Sequence, residues 1–160
     1  MALWRNKDSI LTFTEPGAVY PTSIAPGSVL SDDISPMIRQ LAGMGLMEPF
    51  DSVRSFIKEH PNARIAMIRT YALGDVLMLW AVINCVRRQY PFLNLTLLTD
   101  QSYVSVFEGS GMRVMAYRGI PEGYDLIFMM DSLLEKDHDG GDLSKIHRVN
   151  IYLRALGWER

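Results

Sequence analysis

Cysteine is nearly absent from this chain: among 160 residues there is only Cys85. One cysteine cannot form an internal disulfide, and the three histidines do not stand at the spacing of a zinc site. The sequence therefore predicts synthesis in a reducing, cytoplasmic compartment, with no disulfide, no metal and no other cofactor.

Long apolar runs are missing as well. The longest run, residues 76–83, is far shorter than the roughly 20 residues that a membrane-spanning helix needs. The first residues, MALWRNKDS, lack the apolar stretch of a signal peptide. We expect neither a membrane span nor a secretion signal.

The chain also lacks an excess of either charge. It has 16 Lys and Arg against 18 Asp and Glu, a net charge of −2, and it contains no basic run or stripe. Without such a positive field, nucleic acid is not an expected partner. A hydrophobic content of 48% with 21% charged residues is typical of a chain with one domain-sized core.

Proline is present but unevenly distributed. Five of the eight prolines lie within residues 1–49, where they interrupt any long element. Here the sequence predicts short extended pieces at 9–14 and 18–24, a helix at 34–43 capped by Asp33, and a return strand at 46–48. This proline-rich arm, residues 1–48, has too few apolar residues for a core of its own. We expect it to dock on the rest of the chain or on a partner protein.

Residues 49–160 show strands alternating with helices. The predicted strands are 64–69, 95–99, 112–117 and 124–130, and the predicted helices are 52–60, 75–90, 101–108 and 145–156. Continuous apolar centres in the first and fourth strands are typical of parallel strands that are covered on both faces. The predicted fold is α/β, a Rossmann-like parallel sheet with helices on both faces.

The predicted helix that includes residues 76–83 is apolar on all sides over that stretch. A helix at the surface of a globular protein usually has one apolar stripe. We therefore expect this helix to be covered on more than one side, by the sheet and by either the arm or another protein chain.

The segment 64–75, RIAMIRTYALGD, carries the main functional hypothesis. A strand, a tight loop and a helix start would place Asp75 at the carboxyl edge of a parallel sheet, where open α/β folds bind ligands. Asp131 ends the fourth strand and reaches the same edge. Simpler roles are also open: Asp75 as a helix cap, Asp131 as a cap of the next turn, and Gly74 in the tight turn.

Several segments resemble one enzyme family. They are IRTYALGDV at 68–76, RRQYP at 87–91, the strands 95–99 and 124–127, and HRVNIYLRALG at 147–157. In this order they resemble the N-terminal, acceptor-side half of family-9 glycosyltransferases, the lipopolysaccharide heptosyltransferase group. The most specific element is the Leu-Gly-Asp loop between a strand and a helix.

The resemblance implies one half of a glycosyltransferase-B fold, in which the N-terminal domain holds the acceptor. It implies that Asp75 is a general base on an acceptor hydroxyl and that no metal is needed. The substrate-binding candidates that accompany it are Arg69, Thr70, Tyr71, Gly74 and Asp131. Arg69 and Tyr71 have the alternative of pairing only at the edge of the sheet.

Three functions follow as expectations. Because the sequence ends at Arg160, where the nucleotide-sugar half of the family would begin, we expect a non-catalytic structural or assembly subunit, for example of a virion. It would dock on other chains through residues 1–48 and the apolar helix 76–83. A second expectation is a glycan-binding module that uses the acceptor groove. The alternative is the acceptor-binding subunit of a split transferase, with Asp75 as the base.

Overall fold

The computed structural model describes residues 3–7, 10–13, 22–31, 36–131 and 148–158. The strands are β1 Leu3–Asn6, β2 Leu11–Phe13, β3 Thr22–Ile24, β4 Ser28–Ser31, β5 Met47–Pro49, β6 Arg64–Ile68, β7 Asn94–Thr99, β8 Arg113–Ala116 and β9 Leu126–Met129. The helices are α1 Pro36–Gly43, α2 Val53–Glu59, α3 Leu73–Gln89 and α4 Arg148–Ala155, with a 3-10 helix at Gln101–Phe107.

Seven of these strands form one sheet in the order β5-β1-β4-β9-β6-β7-β8. The pairs from β4 through β9, β6 and β7 to β8 are all parallel, and β1 runs antiparallel to its two neighbours. The predicted α/β class, a mostly parallel sheet flanked by helices, is confirmed. The remaining strands, β2 and β3, form a separate antiparallel pair.

Alternating side chains of the central strands feed two different cores, as the pleat of a strand requires. Ile65 and Met67 belong to the large core that contains α2, α3 and α4, whereas Ala66 and Ile68 belong to a smaller core on the opposite face. Because both sets are fully buried, β6 reads as a continuous apolar run. A third core joins α1 to the β1 and β4 end of the sheet.

The first part of the chain is built into the same sheet. Strand β4 pairs in parallel with β9, with Ser28 opposite Ile127 and Val29 opposite Phe128. The turn before β4 needs Gly27, whose φ is +77° and where a Cβ would lie 3.0 Å from the Asp125 carbonyl oxygen. We expected residues 1–48 to dock either on the rest of the chain or on a partner protein. The structure shows the first of these, because β4 pairs with β9 of the main sheet.

Helix α3 begins at Leu73, two residues before the predicted start, and it buries one face. Val76, Leu79 and Ile83 enter the large core, and the neighbouring helix α4 packs beside α3. Leu77, in contrast, is 40% exposed. The apolar helix is therefore covered by the sheet and by α4, and one apolar edge remains at the surface.

Two other expectations have partial outcomes. The predicted helix 101–108 is a 3-10 helix, in which Asp100 accepts a hydrogen bond from the Ser102 N–H. The Asp33 cap and the first three residues of the predicted helix 145–156 lie outside the described residues. In the part of the chain that the structure describes, no helix is both long and apolar enough to cross a membrane.

Candidate functional site

The candidate residues gather where the strand order reverses. From β6 the chain moves outward through β7 to β8, and it then returns to β9 on the other side of β6. The carboxyl ends of β6 and β9 thus flank the topological switch point, where open α/β sheets bind their ligands. Arg69 immediately follows β6, and Asp131 lies two residues beyond β9.

Arg69 lies buried at the centre of this edge, with only 2% of its surface exposed. Its Nη2 atom donates to the Asp75 Oδ2 atom at 2.9 Å, and its Nη1 atom donates to the Asp131 carbonyl oxygen at 2.6 Å. Its backbone N–H donates to the Leu98 carbonyl at 3.0 Å. One side chain therefore joins the end of β6 to α3 and to the end of β9.

Asp131 holds the loop that leaves β6. Its Oδ1 atom accepts from the Thr70 N–H at 2.7 Å, and its Oδ2 atom accepts from the Thr70 hydroxyl at 2.8 Å. The Arg69 Nη1 atom is 3.6 Å from the same Oδ1 atom. Both oxygens thus fix a neighbouring strand end, which is more than the cap of a following turn that the sequence offered as an alternative.

Asp75 is the third residue of α3 and is 3% exposed. A carboxylate in the first turn of a helix is stabilised by the helix dipole, and here it also forms the buried ion pair with Arg69. The Tyr152 hydroxyl of α4 donates to the Asp75 carbonyl at 3.4 Å. The alternative that Asp75 is the N-cap is wrong, because Ala72 occupies that position and α3 has no side-chain cap.

The tight turn before α3 is made by Ala72, whose φ is +55°. This is the one non-glycine residue with a positive φ among the described residues, and such backbone is costly for an L side chain. The expected role of Gly74 in this turn is wrong: Gly74 lies inside the first turn of α3, and a Cβ added there would meet nothing within 4 Å.

Of the predicted site residues, Tyr71 and Gly74 are the solvent-exposed ones at this edge of the sheet, here called the rim. Tyr71 is 62% exposed, and Gly74 is exposed next to it. The structure therefore divides the six predicted residues into two sets. Arg69, Thr70, Asp75 and Asp131 form one hydrogen-bonded network, and Tyr71 with Gly74 borders it without a hydrogen bond to the network.

Sequence reasoning missed Tyr117, which follows β8 directly and joins the same edge through its N–H, 2.7 Å from the Thr99 carbonyl. Burial, and then the negative charge of Asp131, raise the pKa of the Tyr117 hydroxyl above its usual value. Its position at the end of a predicted strand was a usable signal. Tyr152 gave none, since it lies 77 residues from Asp75.

The network is chemically well satisfied rather than open. Its two carboxylates accept from an arginine, a hydroxyl and a backbone N–H, and the one buried donor atom of Arg69 without a partner is Nε. Within the described ranges, no three His, Cys, Asp or Glu side chains are grouped so as to hold a metal ion.

The chain matches no protein-family model, no curated protein and no solved structure. The resemblance to family-9 glycosyltransferases therefore stays a prediction. The geometry of the switch-point network is the basis on which a function can be argued.

Proposed function

We propose that this chain is a glycosyltransferase-like α/β domain that serves as a non-catalytic structural subunit of a larger assembly, such as a virion. The fold supports the glycosyltransferase-like part: numbered from β6, the strands β8-β7-β6-β9 have the 3-2-1-4 order of the first four strands of a Rossmann-type sheet. The non-catalytic part depends on the state of Asp75.

One observation carries the proposal: the Asp75 carboxylate is engaged by Arg69 inside the protein. The two side chains are 4% and 3% exposed, and their N–O distance is 2.9 Å. A general base must come within about 2.6–3.2 Å of the hydroxyl proton that it removes. An acceptor sugar cannot approach that closely unless the Arg69–Asp75 pair opens, and this favours a role for the carboxylate in the fold.

The alternative, an acceptor-binding subunit of a split transferase, requires this ion pair to open when an acceptor binds. Opening it would take the nearer carboxylate away from a buried guanidinium and leave it with Asp131, at 3.6 Å. Breaking a buried ion pair in this way costs about 3 kcal/mol or more. Acceptor binding would have to offset that cost before any chemistry began. The closed network therefore favours the structural role.

Glycan binding without transfer has its own supporting observation, the accessible rim beside the network. Tyr71 offers an exposed aromatic ring, and rings of this kind contribute large contact areas in binding sites. The adjacent Gly74 leaves open space at the first turn of α3. A glycan that contacts Tyr71 would not need Asp75 to ionise, move or accept a proton.

For the assembly role, two of the exposed apolar side chains are relevant, one on α3 and one near the β2–β3 pair. Leu77 is exposed on α3, and Ile10 is exposed just before β2. Both belong to segments that the sequence already favoured as contacts with other chains. A partner that covers them would remove apolar surface from water, which is the dominant favourable term in most protein association.

The proposal is tested by replacing Asp75→Asn and measuring the free energy of unfolding in urea. We expect a loss of about 3 kcal/mol, the low end of the range for a broken buried ion pair, because Arg69 loses its nearer carboxylate and keeps Asp131, at 3.6 Å. The matched control is Asp100→Asn, at the carboxyl end of the neighbouring strand β7. It should leave the unfolding midpoint nearly unchanged, because Asn and Asp cap helices equally well.

The same experiment distinguishes a structural role of Asp75 from a role as general base. If Asp75 were a poised base and not a structural residue, its replacement would leave stability close to that of the unmodified chain. Equal midpoints for the two variants would therefore contradict the proposal.

A further inference from the structure

A groove whose lining includes none of the switch-point residues has properties that the proposed function does not explain. It has a volume of about 740 Å³ and is formed by α2, by the β1–β5 end of the sheet and by the last turn of α4. This size is within the range of small-molecule sites, about 300–1,000 Å³. The lining is rich in polar side chains, so an apolar ligand is not the expected occupant.

Three cations line this groove. Arg54 and Lys58 stand one turn apart on α2, and Arg154 comes from the end of α4. All three are exposed. No ion pair joins any of them to a residue that the structure describes, whereas Arg5, Arg64 and Arg69 each have a carboxylate within 4.0 Å.

The acidic counterpart in the lining is limited. Asp51 lies in the groove, and its Oδ2 atom accepts hydrogen bonds from Ser55 and, at 3.4 Å, from Ser52. The described lining therefore carries an excess of positive charge in a chain whose net charge is −2. A local positive concentration in a concave site raises the local concentration of anions.

The walls of the groove are held in place. The Arg54 N–H donates to the Leu156 carbonyl at 3.0 Å, which joins the start of α2 to the end of α4. The Arg54 guanidinium also lies over the Trp158 ring, at 5.9 Å from its centroid. This contact leaves the guanidinium edges available as donors, in the planar geometry that suits phosphate oxygens.

We propose that this groove binds a soluble phosphorylated compound, with its phosphate oxygens held by Arg54, Lys58 and Arg154. Three cationic donors from two helices suit a dianion with several oxygens better than a single carboxylate. The space that a phosphate does not fill would hold the rest of the molecule, next to the ring of Trp4, which also lines the groove. The inference is independent of the role of Asp75.

The test is a titration of the full chain with inorganic pyrophosphate at constant ionic strength, followed by ¹H–¹⁵N NMR. The chain has three tryptophans, so their indole resonances report separately. We expect saturable shifts for Trp4 and Trp158. Trp80 lies on α3 and packs against Phe107 of the 3-10 helix, so its resonance should not shift.

The variant for this test is Lys58→Gln combined with Arg154→Gln, both at exposed positions. We expect pyrophosphate to bind roughly threefold to tenfold more weakly, the range for exposed charge pairs. The control is Arg88→Gln on α3, also exposed and outside the groove, which should keep the affinity of the unmodified chain.

Two results would overturn the proposal. One is the absence of saturable shifts at Trp4 and Trp158 in the unmodified chain. The other is an equal loss of affinity in the Arg88→Gln control, which would mean that pyrophosphate responds to net charge and not to the groove.

Discussion

At the scale of single residues, Arg69 organises the candidate site. It contacts the carboxylate of Asp75 and the backbone carbonyl of Asp131, and so links the end of β6 to the following helix α3 and to the end of β9, 62 residues away in the sequence. Buried arginine is stable in a protein only when its donors are satisfied by such partners. Asp75 therefore supplies a negative charge that the buried Arg69 guanidinium needs.

The sequence predicted which of these residues share an edge, but not how they pair. Arg69, Asp75 and Asp131 each follow or begin an element at the carboxyl side of the sheet, and this much is local information. Their pairing depends on β9 lying directly beside β6, which is a long-range property. The positive φ of Ala72 was equally hidden, because alanine rarely adopts it.

Asp125 gives a prediction for pH dependence at the opposite edge of the sheet. Its pKa is lowered, chiefly by the hydrogen bond from the Arg64 N–H to its Oδ2 atom at 2.8 Å, with further help from the Arg64 side chain. A lowered pKa in the folded state means that stability is gained above the unfolded value, about 3.9. That contribution is lost as the pH falls through the folded pKa.

We therefore expect Asp125→Asn to be slightly less stable than the unmodified chain at pH 7. The loss should be small, since the carboxylate is half exposed and screened by solvent. Urea unfolding at pH 7 and at successively lower pH measures it, and the difference in stability between the two proteins should shrink as the pH falls through the folded pKa of Asp125. Glu122→Gln, in the same loop, is the control; a difference that persists at low pH would contradict the assignment to Asp125.

At the scale of elements, two helices end in the same way. In α1 and α4, a glycine with positive φ follows the helix, and paired hydrogen bonds close the last turn: Gly45 N to Ala42 O with Leu46 N to Leu41 O, and Gly157 N to Arg154 O with Trp158 N to Leu153 O. These are Schellman motifs. They differ in their surroundings, which makes them a matched pair.

Gly157 packs against the start of α2, and Gly45 faces open space. A Cβ at Gly157 would lie 2.6 Å from the Ser52 Cβ, whereas a Cβ at Gly45 would meet nothing within 4 Å. We expect Gly45→Ala to cost about 1 kcal/mol of unfolding free energy from its backbone alone. Gly157→Ala should cost roughly 1–3 kcal/mol more, because α2 and α4 must separate.

Chemical denaturation of the two variants gives this difference directly. If Gly157→Ala and Gly45→Ala lose the same free energy, the close approach of α2 and α4 is not maintained in solution. The groove proposed to bind phosphate would then lose one of its walls as well.

Elements with a strong apolar pattern were predicted well from the sequence, and two short strands were not. Strands β6, β7, β8 and β9 and helix α3 have strong apolar patterns, and their predicted bounds differ from the observed ones by a few residues. Strands β1 and β4 were missed. Each has four residues, and β4 becomes a strand through its parallel pairing with β9, which short-range patterns do not encode.

At the scale of the whole molecule, one sheet unites the two parts that the composition distinguished. The apolar Val29 of β4 is fully buried in the same core as β6 and α3. Removing the strands of the first part would expose the edge of β9 and leave that core uncovered. The proline-rich segment is thus a component of the fold, whatever further contacts it makes with other chains.

The network at the switch point also connects separate elements of the fold, because its hydrogen bonds join β6 and β9 to α3 where the strand order reverses. A structural role for it predicts that its members are energetically coupled in global unfolding. If Arg69 instead does not hold Asp75 in solution, the two residues should affect stability independently.

The most direct test is a double-mutant cycle with Arg69→Met, Asp75→Leu and the combined variant, read by the free energy of unfolding in urea. Each single change breaks the buried Arg69–Asp75 ion pair and should cost about 3–5 kcal/mol, whereas the combined change removes both of its charges together. The account predicts a double variant more stable than the sum of the two losses by at least about 2 kcal/mol. Losses that add to within about 0.5 kcal/mol would contradict the claim that Asp75 is held by Arg69 as part of the fold.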